Sequence, residues 1–221
     1  MFLQSVIFIL IRVKFFVRFL GMNIYFMRHG ETDWNKELRI QGSTDIPLNE
    51  NGIKLAEHVS EAVFGADITF DRIFSSPLQR ARQTAEIMNK FSKAPIFIDE
   101  RIREFCFGEA EGVTYEELKT NPKFLNLRNW FLDPENYKAE LGAESYVDFF
   151  SRIDSFLEDV KKVDSENILI VCHGGVVRGL LKEICGWPIA KFASAKIPNC
   201  GLNLAKFENG KFTVEYTARV F

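Results

Sequence analysis

The sequence predicts an α/β domain built on a largely parallel sheet with an antiparallel edge. Apolar, strand-like runs alternate with amphipathic helical segments along the chain, which is the order that parallel sheets require. Two runs, 24–27 and 168–171, are apolar at every position, as in strands buried on both faces. Near the C-terminus, Asn209-Gly210 separates two apolar runs and predicts a β-hairpin, which supplies the antiparallel edge.

The remaining elements follow from hydrophobic periodicity and turn residues. After the first strand and a turn over 47–52, we expect a helix with Val59 and Val63 on its buried face. Pro77 is expected as the first residue of the next helix. The further predicted elements are a strand over 71–75, a helix over 78–89, a strand over 96–98, helices over 114–132, 144–163 and 176–184, and hairpin strands over 202–207 and 212–216. No internal repeat or linker divides the chain, so one domain over 22–221 is expected.

Composition limits the possible functions. The chain has 221 residues, of which 47% are hydrophobic and 26% charged, as in an ordinary globular domain. Its net charge of −2 gives no general basic field, so no nucleic-acid partner is expected. Its four cysteines form no CxxC pair, which argues against a zinc site and a disulfide framework and favours a cytoplasmic location.

Residues 1–21 differ from the rest of the chain. Their apolar run is interrupted by Arg12, Lys14 and Arg18, well short of the roughly 20 apolar residues that a membrane span needs. A secretory signal also fits poorly, because its charges should precede the apolar core. A peripheral membrane anchor stays open as an alternative. The favoured interpretation is that the protein starts at Met22 and that the extension is dispensable or misassigned.

Two His-Gly pairs at strand ends predict the reactive edge of the sheet. Open α/β sheets present reactive groups at the carboxyl ends of their strands, so His29 and His173 are expected to meet there. Arg28 and Arg80, the latter at a helix start, would complete a cationic site suited to a tetrahedral dianion. Taken alone, either histidine could be a hydrogen-bonded rim residue and Arg80 a solvated helix charge. His58 lies in a charge-rich helical segment and is expected at the surface.

The chemistry of such a site can be inferred from what accompanies it. No acidic cluster resembles a magnesium site, and no GxxxxGK[ST] loop is present to hold a nucleotide. A neutral imidazole is a good nucleophile toward phosphorus, and it would form a phosphohistidine that water later opens. The segment 101–109 mixes charged and aromatic residues in a way that suggests a pocket wall. We therefore expect phosphoryl chemistry without a metal or other cofactor.

Six motifs together resemble one family. They are RHGETDWN at 28–35, followed in order by QGSTDIPLNENG, SSPLQRARQTAEI, REFCFGEAEG, GAES and VCHGGVVRG. In order and spacing they resemble the histidine phosphatase superfamily, also called phosphoglycerate mutase-like, over the whole stretch from Met22 to the C-terminus. The resemblance implies a three-layer α/β/α sandwich around the sheet and no need for a metal.

The resemblance also implies roles for individual residues. His29 corresponds to the phosphorylated nucleophile, and Glu104 to the proton donor and acceptor. Arg28, Arg80 and His173 correspond to the pocket that holds the phosphoryl group. Other positions that line phosphate or substrate in relatives are Asn35, Gln41, Gly42 and Gly174.

The family contains both phosphatases and mutases. Mutases carry a long basic insert after the Glu104 motif, whereas only the segment 113–141, with mixed charges, lies there in this chain. The sequence therefore favours a phosphatase of a small phosphomonoester, with a phosphorylated metabolite as its partner. A cofactor-dependent phosphoglycerate mutase is the alternative, and a non-catalytic protein that binds a phosphorylated ligand is a second one. The identity of the monoester and the oligomeric state stay open.

Overall fold

The computed structural model of the chain describes residues 21–221. Except for Gly21, the N-terminal extension expected from the sequence therefore lies outside the described residues. Within that part, six strands form one sheet in the order β3-β2-β4-β1-β5-β6. The strands are β1 (Met22–Arg28), β2 (Arg72–Ser75), β3 (Ile96–Ile98), β4 (Asn167–Cys172), β5 (Leu202–Glu208) and β6 (Lys211–Arg219).

The sheet is mixed, as the sequence predicts. Strands β3, β2, β4 and β1 run parallel to their neighbours, whereas β5 and β6 add an antiparallel edge. In the turn of the closing hairpin both Asn209 and Gly210 have positive φ, which is the backbone that a two-residue turn between twisted strands requires. The parallel register of β1 and β4 pairs Arg28 with Cys172, so the residues that follow each strand emerge side by side.

Helices cover both faces of the sheet. They are α1 (Asp33–Lys36), α2 (Glu50–Gly65), α3 (Gln79–Met88), α4 (Tyr115–Thr120), α5 (Asn129–Leu132), α6 (Tyr146–Val160), α7 (Gly174–Cys185) and α8 (Ile189–Ser194). Short 3-10 helices span Glu100–Ile102, Gly108–Ala110, Pro122–Phe124 and Pro134–Asn136.

Alternate residues of the central strands point to two separate cores. Ile24 and Phe26 of β1 pack in one core with α6, α7 and the aromatic residues of 105–131. Tyr25 and Met27 pack in the other with α2 and α3. Successive side chains of a strand face opposite sides of the sheet, so each face buries its own helical layer. The arrangement is the three-layer α/β/α sandwich that the family resemblance implies.

Several predicted helix boundaries differ from the structure by two or three residues, and two of the differences have a local cause. The single helix expected over 114–132 is broken into α4, a 3-10 turn and α5, because Pro122 has no backbone N–H to continue the helix and disfavours helical backbone at Asn121. Pro77 lies before α3 rather than at its first position; Leu78 is the N-cap, with extended backbone, and the helix begins at Gln79. The exposure of His58 is as predicted.

Candidate active site

The two His-Gly pairs meet at the carboxyl edge of the parallel strands. His29 follows β1, and its backbone N–H donates a hydrogen bond to the Cys172 carbonyl at the end of β4, at 2.9 Å. The imidazole centroids of His29 and His173 are 5.2 Å apart. Their exposed fractions are 2% and 0%. The parallel pairing of two strands therefore brings together two imidazoles that are 144 positions apart in the chain.

Backbone contacts fix the orientation of His29. Its Nδ1 lies 2.7 Å from the Gly30 carbonyl oxygen, which can only accept, so Nδ1 carries the proton and Nε2 keeps its lone pair. Gly30 is itself held, because its N–H donates to Thr84 Oγ1 at 3.0 Å. A Cβ at Gly30 would lie 2.6 Å from the Gly52 carbonyl oxygen, so only glycine allows this close approach.

Hydrogen bonds fix His173 in the opposite tautomer, with the proton on Nε2. Nε of Arg80 donates to its Nδ1 at 3.2 Å, and its Nε2 lies 2.7 Å from Ser76 Oγ. A guanidinium cannot accept a hydrogen bond, so Nδ1 is the acceptor and Nε2 carries the proton. Burial lowers the pKa of both His29 and His173 well below 6.5, and the nearby positive charge of Arg80 lowers each further. Both imidazoles are therefore neutral at pH 7.

Arg80 connects His173 to the loop that follows α1. Its Nη1 and Nη2 donate to the carbonyl oxygens of Thr44 and Gly42, each at 2.7 Å. The carboxylate of Glu111 holds that loop by accepting from the Ser43 N–H at 2.8 Å and from the Thr44 hydroxyl at 2.6 Å. Burial lowers the pKa of Arg80 to about 10, so the guanidinium remains charged at pH 7.

Arg28 is the last residue of β1 and lines the same site as His29. Its Nη1 donates to the Ile197 carbonyl at 3.0 Å, while its Nε is buried without an acceptor among the described residues. A Cβ placed on Gly174 would lie 3.7 Å from this Nε, so Arg28 and the N-terminal residue of α7 face the same space. Arginine and a helix N-terminus both favour an anion there.

Glu104 approaches the same space from the loop before α4. Its carboxylate accepts hydrogen bonds from the N–H of Gly175, at 3.1 Å to each oxygen, and from the N–H of Phe105 at 2.9 Å. The loop is supported from behind by Arg152, which donates to the Glu104 carbonyl at 3.3 Å and forms an ion pair with Glu144 at 2.7 Å. Glu104 is half-buried, with its carboxylate at the start of α7.

These groups surround one cavity of about 90 Å³. The predicted site residues that line it are Arg28, His29, Asn35, Gln41, Gly42, Arg80, Glu104 and Gly174. His173 does not line the cavity. It lies fully buried beside His29 and reaches the site through its contact with Arg80.

Several residues that line the cavity were not predicted from the sequence. Arg178, Trp130 and Tyr115 also line the cavity, and none was assigned to the site from the sequence. Arg178 could have been found, because it follows Gly174 by four positions and such residues share one helix face. Nothing in the local sequence distinguishes Trp130 and Tyr115 from ordinary core aromatics.

The described residues contain neither a candidate metal site nor a membrane-spanning helix. No group of three or more His, Cys, Asp or Glu side chains within 21–221 is arranged to hold a metal ion. Among the helices of that same range, none has the length and apolar character needed to cross a membrane.

Comparison with known proteins gives consistent matches over most of the chain. The family model of the histidine phosphatase superfamily (branch 1) matches residues 24–219. The chain is 33% identical over 190 residues to the "Uncharacterized phosphatase PhoE" of Bacillus subtilis (strain 168), covering 86% of this chain and 90% of that protein. Other relatives at about this identity are named "Probable phosphoglycerate mutase GpmB", as in Proteus mirabilis (31%).

Solved structures agree with this assignment. Bacillus stearothermophilus YhfR superposes with a TM-score of 0.81 at 29% identity, covering 90% of this chain and 98% of that one. A phosphoserine phosphatase mutant from Entamoeba histolytica, solved in complex with phosphoserine, has a TM-score of 0.78 at 26% identity, covering 90% and 98%. By its sequence motifs, its fold and these matches, the chain belongs to the histidine phosphatase superfamily, branch 1.

Proposed function

We propose that the protein is a metal-independent phosphatase that hydrolyses a small phosphate monoester through a phosphohistidine on His29. The observation that supports this most is the hydrogen bond from Nδ1 of His29 to the Gly30 carbonyl, which leaves Nε2 as a free nucleophile beside the cavity. The family and the names of relatives support phosphatase activity. The nucleophile, the monoester and the order of steps are our proposal.

In the first step, Nε2 of His29 attacks phosphorus, the N–P bond forms, and the bond from phosphorus to the leaving oxygen breaks. Arg28 and Arg80 neutralise the phosphoryl oxygens, and they do so in a buried site where charge is poorly screened. Glu104 gives its proton to the leaving oxygen. In the second step Glu104 takes a proton from water, which attacks phosphorus and releases inorganic phosphate and neutral His29.

The segment after the Glu104 loop favours hydrolysis over transfer of the phosphoryl group to a second substrate. The mutases of this family retain a bisphosphate with basic residues of a long insert at this place in the chain. In this chain Lys123 of that segment forms an ion pair with Glu109 at 2.7 Å, and Arg128 donates to the Lys119 carbonyl. The lysine is thus neutralised locally, and neither side chain lines the cavity.

Trapping the intermediate tests the nucleophile. Incubation with a phosphoryl donor followed by rapid denaturation should give an acid-labile, alkali-stable phosphoprotein in the wild type and none in His29→Ala. His173→Ala should still form it, but more slowly, because His173 orients Arg80 rather than facing the cavity. Activity should survive EDTA. A phosphoprotein that persists in His29→Ala, or activity that EDTA removes, would overturn the proposal.

The role of Glu104 is tested by changing the leaving group. An alkoxide leaves poorly without a proton, whereas p-nitrophenolate needs none, so Glu104→Gln should slow phosphoenzyme formation by about 10²–10⁴-fold with alkyl phosphates and far less with p-nitrophenyl phosphate. Equal losses with both substrates would reject the acid role. Glu109 and Glu31 would then be the next candidates, although neither lines the cavity.

A further inference from the structure

Glu104, the proposed proton donor, lies in a loop that belongs to no helix or strand. Residues 104–107 lie between two short 3-10 helices, so no regular backbone pattern fixes the position of the carboxylate. We propose that Arg152 and Glu144 are positioning residues, which hold Glu104 where it can pass a proton to the leaving oxygen and take one from water. This inference rests on the proposed function, because it concerns the group that holds the proposed acid.

Arg152 holds the backbone of this loop from α6. Its Nη1 donates to the Arg101 carbonyl at 2.5 Å, and its Nη2 donates to the Glu104 carbonyl at 3.3 Å. Its Nε and Nη2 also donate to the two carboxylate oxygens of Glu144, at 2.7 and 3.0 Å, in the bidentate geometry that suits a planar guanidinium. One side chain thus fixes two carbonyl groups of the chain segment that carries the acid.

Glu144 binds the next part of the same backbone. The N–H groups of residues 105–107 donate in turn to the carboxylates of Glu104, Glu144 and Glu111, at 2.9, 3.3 and 3.0 Å. The backbone N–H of Glu144 also donates to the Cys106 carbonyl at 2.9 Å. Glu144 is therefore paired with the loop through both its side chain and its backbone, which gives a role to the glutamate of the GAES motif.

The carboxylate of Glu104 is held from a second helix, α7. The Gly175 N–H donates to both of its oxygens at 3.1 Å, and a Cβ on Gly175 would lie 2.5 Å from Oε1, so the carboxylate lies directly against the helix backbone. The two helices are themselves in close contact, since a Cβ on Gly179 of α7 would lie 3.0 Å from the Phe149 ring of α6. Glu104 is thus held through its backbone by α6 and through its carboxylate by α7.

The positions of Arg152 and Glu144 limit what they can do in the reaction. Neither residue lines the cavity, so neither is placed to contact the ester. Proton transfer requires a separation of about 2.6–3.2 Å between the heavy atoms, and a displacement of about 1 Å can cost ~10²-fold in rate. Loss of the pair should therefore slow the two proton transfers of Glu104 and leave the binding of the phosphoryl group unchanged.

Esters with different leaving groups measure the first proton transfer. Glycerol 3-phosphate, phenyl phosphate and p-nitrophenyl phosphate release progressively weaker bases, which need the proton progressively less. In single-turnover phosphoenzyme formation, Arg152→Gln should be about 10–100-fold slower than the wild type with glycerol 3-phosphate and within about threefold of it with p-nitrophenyl phosphate. Phenyl phosphate should lie between them. The Kd for inorganic phosphate should be unchanged.

The second proton transfer gives a separate measurement. Activation of water by Glu104 is the same step for every ester, so the phosphoprotein of Arg152→Gln should decay about 10–100-fold more slowly, whichever ester formed it. With p-nitrophenyl phosphate, rapid formation and slow decay should appear as a burst of p-nitrophenolate. The double variant Glu104→Gln/Arg152→Gln should be no slower than Glu104→Gln alone, because residues that act as a unit are not additive.

Two conservative variants separate the hydrogen bonds from the charge. The positive charge of Arg152 is one of the smaller causes, after burial and Arg80, that lower the pKa of His173. Arg152→Lys keeps this charge without the fork, so it should show the same order of losses on the three esters at a smaller size. Glu144→Gln keeps an acceptor for the loop N–H and removes the ion pair, and it should show that order too.

Arg101→Gln is the matched control. It also removes an arginine that pairs with α6, through Asp159 at 2.7 Å, but the Arg101 side chain binds Asp99, Ser155 and Asp159 rather than residues 104–107. Its effect should be equal on the three esters. Melting temperatures and the rate with p-nitrophenyl phosphate show whether each variant is folded, and Arg152→Lys and Glu144→Gln decide the question if Arg152→Gln does not fold.

Three results would overturn the inference. One is an equal loss on all three esters in the folded Arg152 and Glu144 variants, which would make the pair a support of the fold alone. Another is a loss that appears as weaker phosphate binding. A third is a double variant that is much slower than Glu104→Gln. If Glu104→Gln itself lost activity equally on the three esters, the acid role in the proposed function would fail and the inference with it. A graded loss in Glu104→Gln that the Arg152 variants do not share would reject the inference alone.

Discussion

Burial of two neutral histidines predicts that the protein loses stability as the pH falls below about 6.5. His29 and His173 are 2% and 0% exposed, and burial lowers the pKa of each well below its ordinary value. In the unfolded chain both should titrate near their ordinary pKa of about 6.5. Below that pH the unfolded state binds protons that the folded state does not, so the free energy of unfolding falls; above it the contribution is fully present.

The size of this effect follows from the same linkage. Between pH 6.5 and 5.5, each histidine that stays neutral in the folded state lowers the free energy of unfolding by about 1 kcal/mol. Each further pH unit lowers it by an amount that approaches ~1.4 kcal/mol. The two histidines together therefore remove about 2 kcal/mol over the first unit. For a domain of this length that corresponds to a melting temperature lower by about 4–8 °C.

Thermal or urea unfolding at a series of pH values, in buffers without phosphate, measures the slope of the free energy of unfolding against pH. Phosphate is excluded because an anion bound only to the folded state would add its own stabilisation. Carboxylates also contribute at acid pH, so the informative quantity is the difference between wild type and variant. His29→Asn and His173→Asn should each remove about half of the histidine contribution, whereas the exposed His58→Asn should keep the wild-type slope. Wild-type slopes in both buried-site variants would refute the reasoning.

Two further predictions concern the loop that binds Arg80 and the N-terminal extension. Gly42→Ala should lower stability by about 1–3 kcal/mol and raise KM, because Gly42 has a φ of 53° and an added Cβ would collide with the Glu111 carboxylate. Unfolding curves and steady-state kinetics measure the two effects. An unchanged KM would contradict the assigned role of the loop. A chain that begins at Met22 should retain wild-type activity and melting temperature, since the family match starts at residue 24. Loss of either on deletion, or membrane association that depends on residues 1–21, would contradict it.

The sequence was informative where short apolar runs end in reactive groups. The runs before His29 and His173 could be assigned to buried strands, and parallel strands bring their carboxyl ends to one edge, so the meeting of the two imidazoles followed from local patterns. Arg80 was assigned from its place at a helix start as well as from motif resemblance, whereas Gly42 was assigned from the resemblance alone. Their actual link, two hydrogen bonds from the guanidinium to loop carbonyls, leaves no periodic signal.

Other features depend on tertiary packing and could not be predicted. Glu111 and Glu144 look like surface carboxylates in the sequence, yet each holds a loop of the site through backbone N–H groups. Arg178 lies on an amphipathic helix, where a lone arginine usually indicates the solvated face. Its position in a cavity is set by the contact of α7 with Trp130, a residue 48 positions earlier in the chain.

The cavity is lined partly by residues at strand ends, such as His29, and partly by residues of short helices, such as Tyr115 and Trp130. These two walls are built in different ways. The wall around His29 is fixed by backbone groups at strand ends, where almost any substitution disturbs several contacts. The wall around Tyr115 and Trp130 comes from short helices joined by turns, and it is held mainly by contacts between aromatic rings. Ring contacts tolerate exchange of one apolar residue for another of similar volume. Exchanges of this kind at Tyr115, Trp130 or Phe131 would reshape one side of the cavity and leave the reactive edge of the sheet unchanged.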